Sequence, residues 1–262
     1  YKMVGNGLSV RSEEDVLDEM EWVMPDHGIT KFYFVDDSLL VMRDWYKNLL
    51  KRKRERRLDF RFIVQARIDA IDEELVREGV ENGLICISTG VESTTQLALD
   101  KMRKQVTIEE VKAKIDLVHR FGLGFSANMI IGFEWENEAY WQEMYDFIAR
   151  LLPGQAKLNI LTPLPSTTIY QQAKRRGLIG DEWEYINRMG DLYFELMVNM
   201  TNEPDERLLA WYERIKGIAS RDIAFPTSAR YLTKLADYYY RRYPEEKRMH
   251  MERPSQPSLV PT

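Results

Sequence analysis

Short apolar runs alternate with amphipathic segments through most of the chain, and this alternation constrains the fold more than any other feature. The apolar runs are KFYFV (31–35), FRFIVQA (60–66), LICIST (84–89), GFSANMII (124–131) and KLNIL (157–161). Continuous apolar strands separated by helices are typical of a parallel sheet that helices cover. Because strand–helix–strand crossovers are right-handed, the pattern predicts an α/β fold with five parallel strands, either a (β/α) barrel or an open doubly wound sheet.

Residues that start and end helices mark the segments between the strands. Ser12, with Asp15 three positions later, is close to a capping box, and Pro25 with Gly28 is expected to end this first helix. Thr107 is a predicted N-cap of the same kind. Further helices are predicted over 42–56, from Asp72 to Gly79 or Asn82, from Thr107 to Arg120 and over 138–152.

The pattern changes near residue 169, after which only helical spacing remains. This spacing extends over 181–200, 203–223 and 227–243. The last residues are rich in proline and poor in apolar side chains, a composition that cannot bury a core and predicts disorder. The sequence therefore predicts an α/β domain over 1–180, a helical C-terminal extension over 181–243 and a disordered tail over 244–262.

The charge balance argues against a surface that binds nucleic acid electrostatically. The chain has a net charge of -5 and a pI near 5.5, whereas phosphate binding needs a clustered positive face. The basic run KRKRERR (51–57) is interpreted as the solvated end of a helix. Without a run of about 18 apolar residues or a signal-peptide pattern, we expect no membrane partner and a cytoplasmic location.

Cysteine and histidine are too sparse for the common metal and nucleophile sites. Cys86 is the single cysteine, which excludes an internal disulfide and a multi-cysteine metal site within this chain. It lies in an apolar run and is predicted to be a buried thiol. The three histidines are scattered, and none follows a strand, so we predict no histidine-based metal ligands.

Polar side chains follow each predicted strand at the point where it ends. In parallel α/β folds the carboxyl ends of the strands meet at one edge, where ligands bind. The clusters at this edge are Asp36–Asp37, Arg67, Glu92–Ser93, Glu134–Glu136 and Thr162–Pro163. Asn128 lies inside an apolar strand and needs a hydrogen-bond partner, so it joins the candidate binding residues.

Each candidate also has a structural alternative. Asp37 could cap the following turn, and Glu92 could stand before a helix without contacting a ligand. Glu136 and its neighbour Glu134 could be first-turn acids that the helix dipole favours. Arg67 could form a local ion pair with the nearby Asp69 of little energetic consequence.

A different interpretation is that the same acids are ligands of a divalent cation. Asp36, Asp37, Glu92 and Glu136 are hard oxygen donors of the kind that Mg²⁺ and Mn²⁺ prefer. A magnesium- or manganese-dependent barrel enzyme is therefore one alternative function. A non-catalytic binding module derived from a barrel is another, and the scarcity of cysteine supports it.

Several stretches, taken in order, resemble the radical S-adenosylmethionine (SAM) superfamily, nearest to the branch that often carries a cobalamin-binding domain. The resemblance covers roughly residues 9–180. It rests on RSEEDVLDEMEWV, HGITKFYFVDDSLL, RIDAIDEELV, GVEST, MIIGFEWEN and TPLPSTTIYQQAKRRGLI. The resemblance implies a TIM-like partial barrel of six parallel strands. In this family a Cys-x3-Cys-x2-Cys loop after the first strand holds a [4Fe–4S] cluster.

This sequence contains neither that loop nor the strand before it. The resemblance therefore makes the five strands the second to sixth of the barrel, and the chain a fragment whose cluster loop the full-length protein supplies. The implied cofactors are SAM, a [4Fe–4S] cluster in the complete enzyme, and cobalamin as a further candidate. The implied reaction is reductive cleavage of SAM to a 5'-deoxyadenosyl radical, for methyl transfer or another radical modification of a small-molecule substrate.

The resemblance also assigns roles to the first three clusters. Asp36 and Asp37 occupy the place that meets the ammonium of the cofactor, and acidic acceptors suit a cation. Glu92 and Ser93 resemble the motif that hydrogen-bonds the ribose hydroxyls. Arg67 is a candidate for the cofactor carboxylate, which its planar guanidinium would bind well.

The last two clusters depart in part from the family pattern. NMIIGFEWE resembles a Gly-Leu-Pro-Gly-Glu-Thr motif on the adenine side of the site. Gly132 and Glu136 match this motif, whereas residues 133–135 replace Leu-Pro-Gly. Thr162 and Pro163 begin TPLPST, in which serine stands where the family usually has glycine.

Overall fold

The computed structural model describes residues 10–36, 38–152, 155–189 and 195–219. The chain divides into two compact units, residues 1–222 and 223–262, and the second unit lies wholly outside the described residues. The predicted tail over 244–262 and the predicted helix over 227–243 lie there as well, so both stay predictions.

Five parallel strands form the sheet, which confirms the predicted fold class. They are β1 Lys31–Phe34, β2 Arg61–Gln65, β3 Leu84–Glu92, β4 Gly124–Ile131 and β5 Ala156–Ile160. The strands lie side by side in chain order, whereas a doubly wound sheet reverses its order part-way. Sequential right-handed crossovers place the helices on one face, which gives a partial TIM-like barrel.

Nine α-helices occur within the described residues. They are α1 Glu13–His27, α2 Arg43–Glu55, α3 Glu73–Glu81, α4 Gln96–Lys101, α5 Ile108–Arg120, α6 Glu138–Leu151, α7 Thr168–Arg175, α8 Glu182–Asn187 and α9 Asp205–Lys216. Side-chain caps start most of them, as the sequence predicts. Ser12, Asp72 and Thr107 each accept a hydrogen bond from a first-turn amide, and Thr107 with Glu110 completes a capping box.

The expected end of α1 at Pro25 is wrong. The helix continues through Pro25 to His27, because a proline in the last turn removes one ladder hydrogen bond without breaking that turn. Gly28 ends α1 in a left-handed conformation (φ +61°), and its amide donates to the carbonyl of Met24. The expected role of Gly28 is therefore confirmed.

The two faces of the sheet differ in chemistry. One face packs against the helices through fully buried side chains such as Val64, Ile87, Phe125 and Met129. Because successive strand residues point to opposite faces, the alternate positions form the other side, where polar side chains alternate with apolar ones such as Ile63 and Cys86. This open face is defined by Tyr33, Gln65, Ser88, Ser126, Asn128, Lys157 and Asn159.

The basic run at 51–57 contributes to helix packing. Arg52 pairs with Glu14 of α1, and Arg56 donates to Asp18 at 2.6 Å and to Glu21 at 3.4 Å. Lys53 is buried, with its ammonium 4.6 Å from the centre of the Phe60 ring. Arg52 and Arg56 therefore connect α2 to α1, so the run is more than a solvated helix end.

A second core lies beyond the carboxyl ends of β4 and β5. It consists of Phe133, Leu161, Tyr170, Ala173, Ile179, Tyr185, Val198 and Met200. The helix expected over 181–200 is shorter than its spacing suggests, since α8 ends at Asn187 and residues 195–200 are not helical. Val198 and Met200 lie in an irregular segment, and their apolar side chains fill this core. Their spacing therefore reflects core packing and not a helix.

The helical region after α7 also contacts the sheet. α9 packs against α6 and β5, and Leu208, Trp211 and Ile215 are buried in the main core. The boundary predicted at residue 180 stays a prediction. Among the described residues, no helix combines the length and the apolar composition needed to cross a bilayer.

Candidate functional site

A hydrogen bond joins the loops after β1 and β2. The amide of Arg67 donates to Ser38 Oγ at 3.2 Å. Asp36 is exposed next to this contact, and Asp37 lies outside the described residues. The guanidinium of Arg67 makes two hydrogen bonds with Asp69, at 3.0 and 2.8 Å, so the local ion pair considered as an alternative is present.

The loop after β3 has an unusual backbone. Register between β3 and β4 shifts between Gly90 and Glu92, and Glu92 has φ +66°. Glu92 Oε1 accepts a hydrogen bond from Lys104 Nζ at 3.0 Å. Ser93 is fully buried, and its hydroxyl shares a hydrogen bond of 2.8 Å with Tyr140. Glu92 is therefore partly exposed, whereas Ser93 is buried and held by its hydrogen bond to Tyr140 of α6.

The loop after β4 is held by a buried acid. Gly132 adopts φ +115°, and its amide donates to Glu136 Oε2 at 2.7 Å. The indole of Trp141 donates to the same oxygen at 2.7 Å. Burial raises the pKa of Glu136 to about 7 although these hydrogen bonds oppose the shift. Glu136 precedes α6, whose N-cap is Asn137, so it fixes the loop rather than acting as a first-turn acid.

The three residues that replace the family pattern in this loop have distinct positions. The rings of Phe133 and Trp135 stack at 4.6 Å, and Lys101 lies 5.1 Å from the centre of the Trp135 ring. Glu134 is exposed. The aromatic pair thus packs the loop onto the end of α4. This packing restricts the loop, as a proline would.

Asn128 has the partner that the sequence required. It lies on the open face in the middle of β4, and its amide nitrogen is 3.5 Å from Ser88 Oγ on the neighbouring strand. The side chain is partly exposed, so it can also meet a ligand on that face. Its place among the binding residues stays a prediction.

The loop after β5 is covered by the second core. Thr162 is buried, and its hydroxyl is 3.4 Å from the carbonyl of Ile160. The carbonyl of Pro163 accepts a hydrogen bond of 2.7 Å from the Tyr185 hydroxyl, whose pKa burial raises to about 12. Ser166, which stands where the family usually has glycine, has φ +70°, the conformation that glycine favours.

Several residues that define the site are absent from the sequence-based prediction. Polar side chains at alternate strand positions indicate the open face, and Gln65, Ser88 and Asn159 carry that signal. Lys104 and Tyr140 carry none, because they lie far along the chain from the loops that they contact.

The sequence profile of the Radical SAM superfamily matches residues 3–148, more than half of the chain. The chain belongs to the radical SAM superfamily. This match confirms the family that the motifs indicated. Members of the family use SAM and a [4Fe–4S] cluster.

Individual relatives give the extent of the likeness. The chain is 28% identical over 165 residues to the anaerobic magnesium-protoporphyrin IX monomethyl ester cyclase of Rubrivivax gelatinosus, covering 62% of this chain and 30% of that protein. It is 26% identical to the bacteriochlorophyllide d C-12(1)-methyltransferase of Chlorobaculum tepidum, with shares of 66% and 38%. The chain thus spans about a third of the length of these curated relatives.

Solved structures agree on the fold. The cobalamin- and [4Fe–4S]-bound radical SAM methyltransferase TsrM from Kitasatospora setae has a TM-score of 0.55 at 19% identity, covering 63% of this chain and 32% of that one. Methylornithine synthase (PylB) has a TM-score of 0.51 at 10% identity, with shares of 86% and 66%. At these identities the likeness shows the barrel architecture alone.

The residues of this chain do not fit the [4Fe–4S] cluster of the radical SAM family. Such a cluster is held by cysteine thiolates, and Cys86 is the single cysteine. It lies buried in β3, where burial raises the pKa of its thiol to about 11. The cluster ligands of a radical SAM enzyme cannot come from these 262 residues.

The magnesium alternative receives no support from the described residues. None of them forms a group of three or more His, Cys, Asp or Glu side chains that could hold a metal ion. Glu92 is paired with Lys104, and Glu136 is buried behind the loop after β4. Asp37, which that alternative also uses, lies outside the described residues.

The residues fit the nucleoside portion of SAM better. Hydroxyl groups need acceptors, and Glu92 offers a partly exposed carboxylate at the carboxyl end of β3. Asn128 adds an amide on the same face of the adjoining strand. Glu92 lies at the edge where ligands of parallel α/β folds bind, and Asn128 lies further inside the sheet on the open face.

Proposed function

We propose that this chain forms much of the SAM- and substrate-binding half-barrel of a radical SAM enzyme. The observation that carries the proposal is the left-handed backbone of Glu92 at the carboxyl end of β3, where the family has its ribose-binding motif. Strained residues of this kind cluster at ligand sites, where the surrounding structure holds them. When bound, SAM would supply an adenosyl radical or a methyl group for modification of a small-molecule substrate.

Each residue at the edge has a proposed role. Glu92 accepts hydrogen bonds from the ribose hydroxyls, and Ser93 fixes that loop through Tyr140. Glu136 and Gly132 shape the loop on the adenine side. The remaining predicted contacts stay proposals: Asp36 and Asp37 for the ammonium, Arg67 for the carboxylate, and Asn128, Thr162 and Pro163 for the adenosyl part.

Methyl transfer is the reaction class that the relatives favour. They include a cyclase and a methyltransferase, and a cobalamin-bound methyltransferase shares the fold. The cluster ligands, and a cobalamin domain if one takes part, would come from residues outside this chain. A cytoplasmic location and the absence of nucleic-acid and membrane partners remain proposals from the sequence.

Calorimetric titration of the chain with SAM and with S-adenosylhomocysteine tests this proposal. We expect both nucleosides to bind, and Glu92→Gln to weaken binding by about tenfold, since hydrogen bonds to a charged acceptor are worth more than neutral ones. Glu134→Gln removes an exposed acid from the loop after β4 and should bind like the wild type. Binding of Mg²⁺ without binding of either nucleoside would refute the proposal.

A non-catalytic binding module is the second candidate, and the single cysteine favours it. Such a module would bind the nucleosides but would never be joined to cluster ligands. The reading frame upstream of Tyr1 separates the two candidates. A Cys-x3-Cys-x2-Cys segment in the same polypeptide would favour the enzyme, and its absence would favour the module.

A further inference from the structure

Glu92 occupies a conformation that needs support from its surroundings. Its φ of +66° lies in the left-handed region, which a glutamate enters only at an energetic cost that its surroundings must offset. The residue follows the register shift between β3 and β4. The contacts of the Glu92 side chain should therefore show what stabilises this conformation and where it places the carboxylate.

Lys104 makes the first of these contacts. Its ammonium donates to Glu92 Oε1 at 3.0 Å and to the carbonyl of Gly90 at 3.4 Å. The side chains of Lys104 and Glu92 are 31% and 19% exposed, so solvent screens this ion pair less than a fully exposed one. The pair fixes one carboxylate oxygen and leaves the other for a further partner.

The backbone on both sides of Lys104 has an unusual conformation that directs its side chain toward Glu92. Arg103 has φ +56° and Gln105 has φ +54°, so both neighbours of Lys104 lie in the left-handed region. The amide of Lys104 closes the end of α4 by donating to Leu99 at 3.0 Å. Two left-handed residues in one loop cost conformational free energy. We therefore infer that the position of the Lys104 side chain between them has a function.

Gly90 makes the second contribution. A Cβ atom at this position would overlap Glu92 Oε1 and would lie 3.4 Å from Lys104 Nζ. Gly90 pairs in register with Asn128, which belongs to the open face. The carboxylate of Glu92 therefore folds back over the end of β3 on the open face, into space that only a glycine leaves.

We propose that Lys104 and Gly90 hold the Glu92 carboxylate over the open face so that it accepts hydrogen bonds from the vicinal hydroxyls of a nucleoside. Lys104 is a positioning residue and does not itself contact the nucleoside. This inference rests on the proposed function and adds the residues that give it selectivity for a ribose over a deoxyribose. A carboxylate suits this task because it only accepts hydrogen bonds and can serve two hydroxyls.

The test compares S-adenosylhomocysteine with its 2'-deoxy analogue by calorimetry on the 262-residue chain. Lys104→Met and Gly90→Ala should each lower the affinity for S-adenosylhomocysteine by about tenfold. Each should lower the affinity for the deoxy analogue by only about threefold, since that analogue keeps one of the two hydroxyls that donate to Glu92. Lys104→Arg should restore most of the discrimination.

Matched variants keep the test independent of folding. Lys112→Met removes a lysine that pairs with Glu109 on α5, away from this loop, and should behave like the wild type. Gly90→Ala should keep its thermal unfolding temperature, because the overlapping atom is the end of a flexible side chain.

The outcomes separate the inference from the function on which it rests. Equal losses for both nucleosides, or no loss for either, would overturn the positioning role while the proposed function stands. Failure of the wild-type chain to bind S-adenosylhomocysteine would overturn both. A larger loss for the ribose form than for the deoxy form, with rescue by arginine, supports the positioning role.

Discussion

At the residue scale, Glu136 combines deep burial with an incomplete set of partners. Oε2 accepts two hydrogen bonds, whereas Oε1 has no partner within the described part of the chain. Burial disfavours the charged carboxylate and raises its pKa from 4.5 to about 7. The folded protein therefore favours the neutral acid at this position.

The sign of the pH dependence follows from that shift. Because the folded-state pKa of Glu136 lies above its ordinary value, its contribution to stability is complete below pH 4.5 and is lost as the pH rises through about 7. A shift of this size corresponds to about 3 kcal/mol in the free energy of unfolding.

Glu136→Gln removes this titration while an amide oxygen still accepts from Gly132 and Trp141. Relative to the wild type, we expect the free energy of unfolding of the variant to increase by about 3 kcal/mol from pH 4.5 to above pH 7. Urea denaturation across that range measures it, with Glu134→Gln as the exposed control. A constant difference between wild type and variant would contradict the prediction.

At the element scale, a hydrogen bond links α8 to the loop after β5. The hydroxyl of Tyr185 donates to the carbonyl of Pro163 at 2.7 Å, within the second core. Trp183, on the same helix, is 76% exposed and adds little burial. The hydrogen bond therefore matters for holding the loop after β5.

Tyr185→Phe should destabilise the chain by about 1–2 kcal/mol, because the buried carbonyl of Pro163 loses its donor. The matched control is Tyr46→Phe, which removes another buried hydroxyl. That hydroxyl has no hydrogen-bond partner among the described residues, so its loss should cost little. Chemical denaturation of both variants measures the difference, and equal effects would show that the hydrogen bond contributes nothing.

Tyr140 shows how one helix serves two loops. Its hydroxyl meets Ser93 in the loop after β3, while the neighbouring Trp141 meets Glu136 in the loop after β4. The first turn of α6 therefore holds both loops at the carboxyl edge. Such rigid support is what a ligand-binding loop needs to keep its geometry.

At the scale of the whole molecule, the described residues form a half-barrel whose open face carries polar side chains. Its strands lie in chain order, and the helices cover the opposite face. The chain spans about a third of the length of its curated relatives. We infer that it is a binding half that needs other residues for the cluster chemistry of the radical SAM family.

Anaerobic reconstitution of this chain with iron and sulfide should therefore give no stoichiometric [4Fe–4S] absorption spectrum. One buried cysteine cannot replace three thiolate ligands. Cys86→Ser should give the same result as the wild type. A stable spectrum with one cluster per chain would show that the cluster fits here after all.

The sequence by itself determined the strands, three of the helix caps and the family. These follow from short-range signals: the length and apolar character of KFYFV (31–35) or GFSANMII (124–131), and a capping side chain such as Thr107 next to the amides it caps. The order of the clusters also predicted Glu92 at the carboxyl edge of the sheet, because parallel strands share one direction.

Only the tertiary structure decided how those residues are held. Ser93 meets Tyr140 across 47 positions of chain, Glu92 meets Lys104 across 12, and Pro163 meets Tyr185 across 22. No local pattern encodes such pairs, since each depends on how two helices and a strand pack. The same reason explains the short α8, where packing of Val198 and Met200 into the second core overrides helical spacing.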